Sequence, residues 1–134
     1  MVYEFLVTVP ANTPADSPVE EEALVHPGVV THVEVEMAAG CHRMVKCAVY
    51  EGTYKMWPRN PEGAMATDAH VIAFNEYIEL KRGHNLLKIK CWSPGTTYSH
   101  DVTVRIVVMP KHIAAPYTIL DGLVNILKRI LGLR

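Results

Sequence analysis

At 134 residues the chain has the length of one domain, enough to bury a core without disulfide or metal staples. A hydrophobic share of 49% with 20% charged residues excludes a disordered chain. A net charge of −1 excludes the basic field that nucleic-acid binding depends on, so no nucleic-acid partner is expected.

The net charge hides an asymmetry. Residues 1–42 hold Glu4, Asp16, Glu20, Glu21, Glu22, Glu34 and Glu36 and no Lys or Arg, whereas all 13 bases follow. The plain reading is acidic and basic strands side by side in one sheet. The sharper one is two oppositely charged faces that meet on neighbouring subunits. The first residues show neither a basic n-region nor an apolar h-region, so secretion through a signal peptide is not expected. No run approaches the roughly 18 apolar residues of a spanning helix.

Taken in order, Val2–Val9 reads as a first strand, with Tyr3, Phe5, Val7 and Val9 in phase. The proline-rich stretch 10–18 cannot supply ladder donors and reads as an extended loop. Val19–Val25 carries Glu20, Glu21 and Glu22, which suits an edge strand. Gly28–Met37 alternates strictly, placing Val29, Val33, Val35 and Met37 on one face and Val30, His32, Glu34 and Glu36 on the other. Met44–Glu51 and Thr53–Trp57 form a hairpin about Gly52. Residues 58–69 are the longest segment without a period, a length that in compact domains goes with binding or covering something. Val71–Phe74 and Glu76–Lys81 follow as one strand or two, then His84–Trp92 and finally Tyr98–Met109, with Val102, Val104, Ile106 and Val108 in phase. The fold class implied is all-β: an antiparallel sandwich of about eight strands, jelly-roll or Greek-key.

After Pro110 the period changes from two to about 3.6. Thr118 and Asp121 suit a capping box. Ile119, Leu120, Leu123, Val124, Ile126, Leu127, Ile130, Leu131 and Leu133 then cover one half of a helical wheel, with Asp121, Asn125, Lys128 and Arg129 on the other. The division is therefore a β-sandwich over 1–110 and a linker with an amphipathic helix over 111–134.

Chemistry-bearing motifs are sparse. Seven histidines form no HxH or HExxH pair. His42 between Cys41 and Cys47 is the best ligand cluster, yet its spacing matches no zinc pattern, so no metal or other cofactor is expected. Cys47 and Cys91 occupy apolar-phase positions where free Cys acts as a small core hydrophobe, and three cysteines without CxxC spacing imply no disulfide framework. Ser17, Ser93 and Ser99 lie in or beside turns without a GxSxG context, and no phosphate-binding glycine loop occurs, so no enzyme is expected. Tyr54, Trp57, Arg59 and Trp92 mark a candidate ligand loop, since rings near turns serve as stacking platforms for sugars. The alternative for Trp57 and Trp92 is that they cap the two ends of the core. The helix offers a candidate assembly interface through Leu120, Leu123, Val124, Leu127, Ile130 and Leu131. It could cover its own sandwich, lie on a membrane surface, or dock on another subunit. With Lys128, Arg129 and Arg134 as its bases, a membrane contact would be weak, which favours a partner subunit or a bundle of copies.

The succession Val9-Pro-Ala-Asn-Thr-Pro, Asp16-Ser-Pro-Val-Glu, Pro27-Gly-Val-Val-Thr-His-Val-Glu-Val, Gly40-Cys and Trp57-Pro-Arg-Asn-Pro is similar to small uncharacterised β-sandwich proteins of prokaryotic viruses and their integrated relatives. The resemblance spans residues 3–109, rests on turns and strands, and carries no catalytic residue across. It implies a structural subunit of a virion, such as a minor coat, decoration or turret protein, located in the virion or in the cytoplasm before assembly. Its partners would be further copies or other coat subunits, reached through the helix. The alternative expectation is a sugar- or ligand-binding module using the Trp57–Ala69 loop.

Overall fold

The structure, a computed structural model, describes residues 1–114 and 116–132. Eight strands, β1 (Val2–Val9), β2 (Val19–Leu24), β3 (Gly28–Met37), β4 (Lys46–Glu51), β5 (Tyr54–Trp57), β6 (Val71–Leu80), β7 (Leu86–Trp92) and β8 (His100–Met109), form two antiparallel sheets. One has the order β1-β8-β3-β6 and the other β2-β7-β4-β5. Apart from the β4–β5 hairpin, each connection crosses from one sheet to the other, and the order is that of a jelly roll. The chain is an all-β sandwich.

Alternation puts one side of every strand between the sheets. Val7, Val9, Val33, Val35, Met37, Cys47, Val49, Leu87, Ile89, Cys91, Val102, Val104, Ile106 and Val108 are all buried in one cluster. Each fully buried Val, Leu or Ile stabilises the fold by roughly 1.5–3 kcal/mol.

The phase of β3 differs from strict alternation at one point. Its register against both β6 and β8 shifts between Val30 and His32. Thr31 is the extra residue against β8, and Glu76–Tyr77 is the doubled position against β6. The bulge exchanges the two faces. Val30, expected on the outer side, joins the core, while Val29 is buried outside that cluster. The same bulge falls where β6 was expected either to run on or to break, and β6 is one strand. β3 starts against β8 so closely that a Cβ on Gly28 would stand 2.8 Å from the Met109 carbonyl oxygen.

Loops are pinned from a distance. The Ser93 hydroxyl donates to the Pro10 carbonyl (3.0 Å), and the Ser93 amide donates to that of Thr13 (2.9 Å), so the proline-rich loop is tied to the turn after β7. Gly52 at φ 58° opens the two-residue turn between β4 and β5. Beyond Trp57 the place beside β4 is taken by Met65, which exchanges hydrogen bonds of 2.8 and 2.9 Å with Cys47 and enters the core. The long 58–69 segment therefore covers the sheet edge that the short β5 leaves open. Lys55 holds its tip, donating to the carbonyls of Asn60, Pro61 and Gly63.

After β8 the expected linker contains a single-turn helix, α1 (Lys111–Ala114), which lies against β3 and places Lys111 Nζ 3.4 Å from Glu79. Helix α2 (Pro116–Ile130) begins at Pro116, a favoured first position, rather than at Thr118. Thr118 thus falls in the first turn, and its side chain, like those of Ile119 and Leu133, lies outside the described residues. Gly132 at φ 70° ends the helix.

The bulge makes a test of register. Val30→Asp should abolish folding, because an unpaired charge in the core costs several kcal/mol. Thr31→Ala should cost less than about 1 kcal/mol in urea titrations. Equal costs would refute the phase change.

Candidate interaction surface

The helix wheel read from sequence fixes which side chains α2 groups together, and the fold decides what they meet. Every residue from Leu120 to Gly132 is exposed. Leu123, Leu127, Ile130 and Leu131, at 53%, 56%, 73% and 68% of full exposure, would be covered if the helix lay on its own sandwich. Instead α2 continues from α1 and stands clear of the strands. Leu120 and Val124 complete the same stripe, so the six expected interface residues share one exposed apolar half-cylinder. A stripe of this kind exceeds what isolated surface hydrophobes account for. Asp121, Asn125, Lys128 and Arg129 leave the opposite half polar.

The four residues of the candidate ligand loop do not converge. Trp57 is buried, its Nε1 donating to Glu76 at 3.1 Å and its ring edge-on to Phe74, so it closes the β5–β6 end of the core. Trp57 also lines an apolar hollow of about 290 Å³ with Pro58, Met65, Ile72 and Phe74. Trp92 lies half-buried on the other face of its sheet, in a separate hollow of about 350 Å³ with Asp16, Tyr50, Glu62 and Lys90. Lys90 Nζ sits 4.5 Å from the centre of the Tyr50 ring and so covers one of its faces. Tyr54 and Arg59 are exposed and line neither hollow.

Charge is arranged as the plainer sequence reading supposed, acid beside base on neighbouring strands of one sheet. Glu20 on β2 stands 3.5 Å from Lys88 and from Lys90 on β7, which is pairing of neighbouring strands. On the outer side of the other sheet Arg105 gathers Glu36 (2.8 Å), Glu4 (3.0 Å) and Glu34 (3.9 Å). Hydrogen bonds to Glu36 and Glu4 raise the pKa of its guanidinium further. Acid exceeds base around Arg105.

Among the described residues no group of three His, Cys, Asp or Glu side chains is placed to hold a metal. The Cys41 and Cys47 thiols stay protonated at neutral pH. Cys47 is raised well above the ordinary thiol range by its hydrogen bond to Cys91 and by burial, and Cys41 is raised by burial and by the charge of Asp68. His42 belongs to a clamp that sequence reading missed. The Asp68 carboxylate accepts the Gly40 amide at 2.9 Å and lies 3.6 Å from His42 Nδ1, tying the 58–69 segment to the β3–β4 turn. His42 and Arg43 take positive φ there. That turn borders a hollow of about 470 Å³ beside His100 and Tyr98.

Desolvation alone would raise the pKa of Asp68, but the amides of Gly40, His42 and Cys41 and the charge of His42 outweigh it, and the net shift is downward. A carboxylate depressed in the folded state stabilises above its unfolded pKa, and the contribution fades as pH falls through the folded value. Asp68→Asn should therefore lower the melting temperature at pH 7, and the gap from the parent should close as pH falls below the ordinary Asp value of about 3.9. A gap that stayed constant with pH would mean that the carboxylate charge is irrelevant to the clamp.

No family model matches the sequence, and no curated protein matches it. Among solved structures the chain is similar to the Yersinia pseudotuberculosis-derived mitogen, at 8% identity over 81% of this chain and 86% of that one, with a TM-score of 0.41. It is similar to FlhE at 12% identity, over 78% of this chain and 95% of that one, with a TM-score of 0.37. Likeness at this level carries no argument about what the chain does.

Proposed function

We propose that this chain is a non-enzymatic structural subunit, a virion component such as a minor coat, decoration or turret protein, anchored to its neighbours by α2. One observation carries the reading: the apolar half of α2 is exposed along its described length while the sandwich is closed without it. Water-exposed Leu and Ile in a continuous stripe are stable only when something covers them, and here the partner is another subunit. The jelly-roll order adds a fold-level analogy, since that architecture serves in viral coat domains, although it serves in lectins as well. The resemblance of the turn and strand succession to small β-sandwich proteins of prokaryotic viruses is in keeping with this reading. Further copies or other coat subunits are the partners, and the site of action is the virion, with the cytoplasm before assembly.

A second reading, a sugar- or ligand-binding module, is favoured by the hollow in which Trp92 and Tyr50 stand among Asp16, Glu62 and Lys90. It shifts the aromatic platform from Trp57, whose ring is core, to Trp92. Sugar binding lost on Trp92→Ala, with the fold intact, would support it. Trp57→Ala cannot serve, because it removes a core residue.

Removal of residues 118–134 tests the anchor. The truncated chain should keep its β circular dichroism and its melting temperature while losing higher oligomers. Leu123, Leu127 and Ile130 changed together to Ser should reproduce the loss, whereas Lys128 and Arg129 changed to Gln should leave assembly within about twofold. Truncation that unfolds the domain would show the helix to be part of the core. Flotation with anionic vesicles, reversed by salt, would show a membrane contact instead.

A further inference from the structure

Four strands border the two sheets, and three of them are blocked against a new neighbour. β2 carries Glu20, Glu21 and Glu22 in succession, and β5 is only 4 residues long. β6 bulges at Glu76–Tyr77, turns Glu76 inward to Trp57, and has its Tyr77 amide capped by the Glu76 carboxylate at 3.1 Å. Short edges, charges and bulges are the devices that prevent strand addition. β1 is neither short nor bulged, and its one charge, Glu4, is paired with Arg105. It runs 8 residues with no Pro, Lys or Arg and no register shift against β8, and Val2 and Leu6 are exposed at 68% and 60%.

The hydrogen bonds fix which groups β1 offers. Met1 and Val108 exchange both of their backbone bonds, each at 2.8 Å, so Met1 is a hydrogen-bonded pair with β8. In an antiparallel ladder such pairs alternate. Tyr3, Phe5, Val7 and Val9 therefore point their backbone groups at β8, and Val2, Glu4, Leu6 and Thr8 point theirs outward. We propose that this edge pairs with β1 of a second copy of the chain, antiparallel about a two-fold axis at Phe5, joining the two β1-β8-β3-β6 sheets into one.

Self-pairing is argued from register. With the axis at Phe5, Glu4 faces Leu6 of the other copy and Val2 faces its Thr8. Every outward N–H and C=O from Val2 to Thr8 then finds a partner. Moving the axis to Glu4 leaves Thr8 unpaired and sets Glu4 against itself, and moving it to Leu6 leaves Val2 unpaired. In the chosen register the two Glu4 side chains are diagonal, and each is already paired with its own Arg105 at 3.0 Å. On the inner side the half-exposed Phe5, stacked on Tyr3, meets Phe5 of the other copy in the closer, non-hydrogen-bonded type of pair. An interface of one strand edge is small, so the dimer is weak alone and gains from the second attachment that α2 provides.

The test uses the full chain with Leu123, Leu127 and Ile130 changed to Ser, so that helix-driven association is silenced and the two ideas fail separately. Glu4→Cys and Leu6→Cys are prepared singly, then oxidised alone and as an equal mixture. The native Cys41, Cys47 and Cys91 are buried and do not compete. The proposed register brings positions 4 and 6 of different copies to a disulfide-compatible separation, and the mixture should yield on the order of tenfold more cross-linked dimer than either variant alone. Leu6→Pro removes only an outward donor and Leu6→Lys places a charge on the edge. In sedimentation equilibrium each should weaken self-association by at least about tenfold while β circular dichroism is retained. Cross-linking no better in the mixture than in the single variants, or association indifferent to Leu6→Lys, would overturn the proposal. Selective cross-linking that persists in the helix-silenced chain would uphold it whatever becomes of the helix anchor.

Discussion

Two sheets that share one core can be threaded by a chain crossing between them only if each strand arrives with its apolar side facing the other sheet. The alternation of β-branched residues meets that demand in most strands, and the bulge at Thr31 meets it in β3. Without the bulge, the half of β3 that carries Val33, Val35 and Met37 would face the core while Val30 faced outward. One extra residue corrects the phase, and the doubled position Glu76–Tyr77 in β6 absorbs the same shift. Glu76 lies inward through the unbroken alternation of β6, and its bond to Trp57 closes the β5–β6 end.

The strands themselves were legible because burial between two sheets leaves a period of two in the sequence. Val102, Val104, Ile106 and Val108 needed no tertiary information. Val29 and Val30 were misassigned because a bulge leaves no mark in a run where both neighbours are apolar. Trp57 had two readings, and only the packing of Phe74 and the carboxylate of Glu76 separates them. The Asp68 clamp and the Ser93 anchor join residues 28 and 83 positions away, and nothing local announces either. The six apolar residues of the helix stripe were legible from the wheel, whereas their detachment from the sandwich was not. Periodicity says which side chains share a face and is silent on what the face meets.

Polar groups repeat the same lesson on the outer faces. Arg105 could be read only as a solvated strand residue, yet it sits between Glu4 on β1 and Glu34 and Glu36 on β3 because β8 lies between those strands. Strand order turns three scattered acids into one partly neutralised cluster. Much of the first third's excess acid is placed this way, beside Arg105 or against Lys88 and Lys90, so the asymmetry along the chain becomes a pattern across sheets.

The Cys41 and Cys47 thiols are held protonated, His32 bonds to Asn75 at 2.9 Å and to Glu34 at 3.3 Å, and His84 bonds to Glu51 at 2.9 Å. The two uncovered surfaces among the described residues are a helix whose apolar half faces water and the edge of β1, which is neither short nor bulged. These two surfaces differ in kind. A helix stripe is non-directional and tolerates several geometries, while a strand edge fixes register to one residue through its hydrogen bonds. A subunit bearing both can gain strength from the first and orientation from the second. The β1 edge lies in the sheet against which α1 packs and from which α2 departs, so both surfaces belong to one side of the sandwich's strand order.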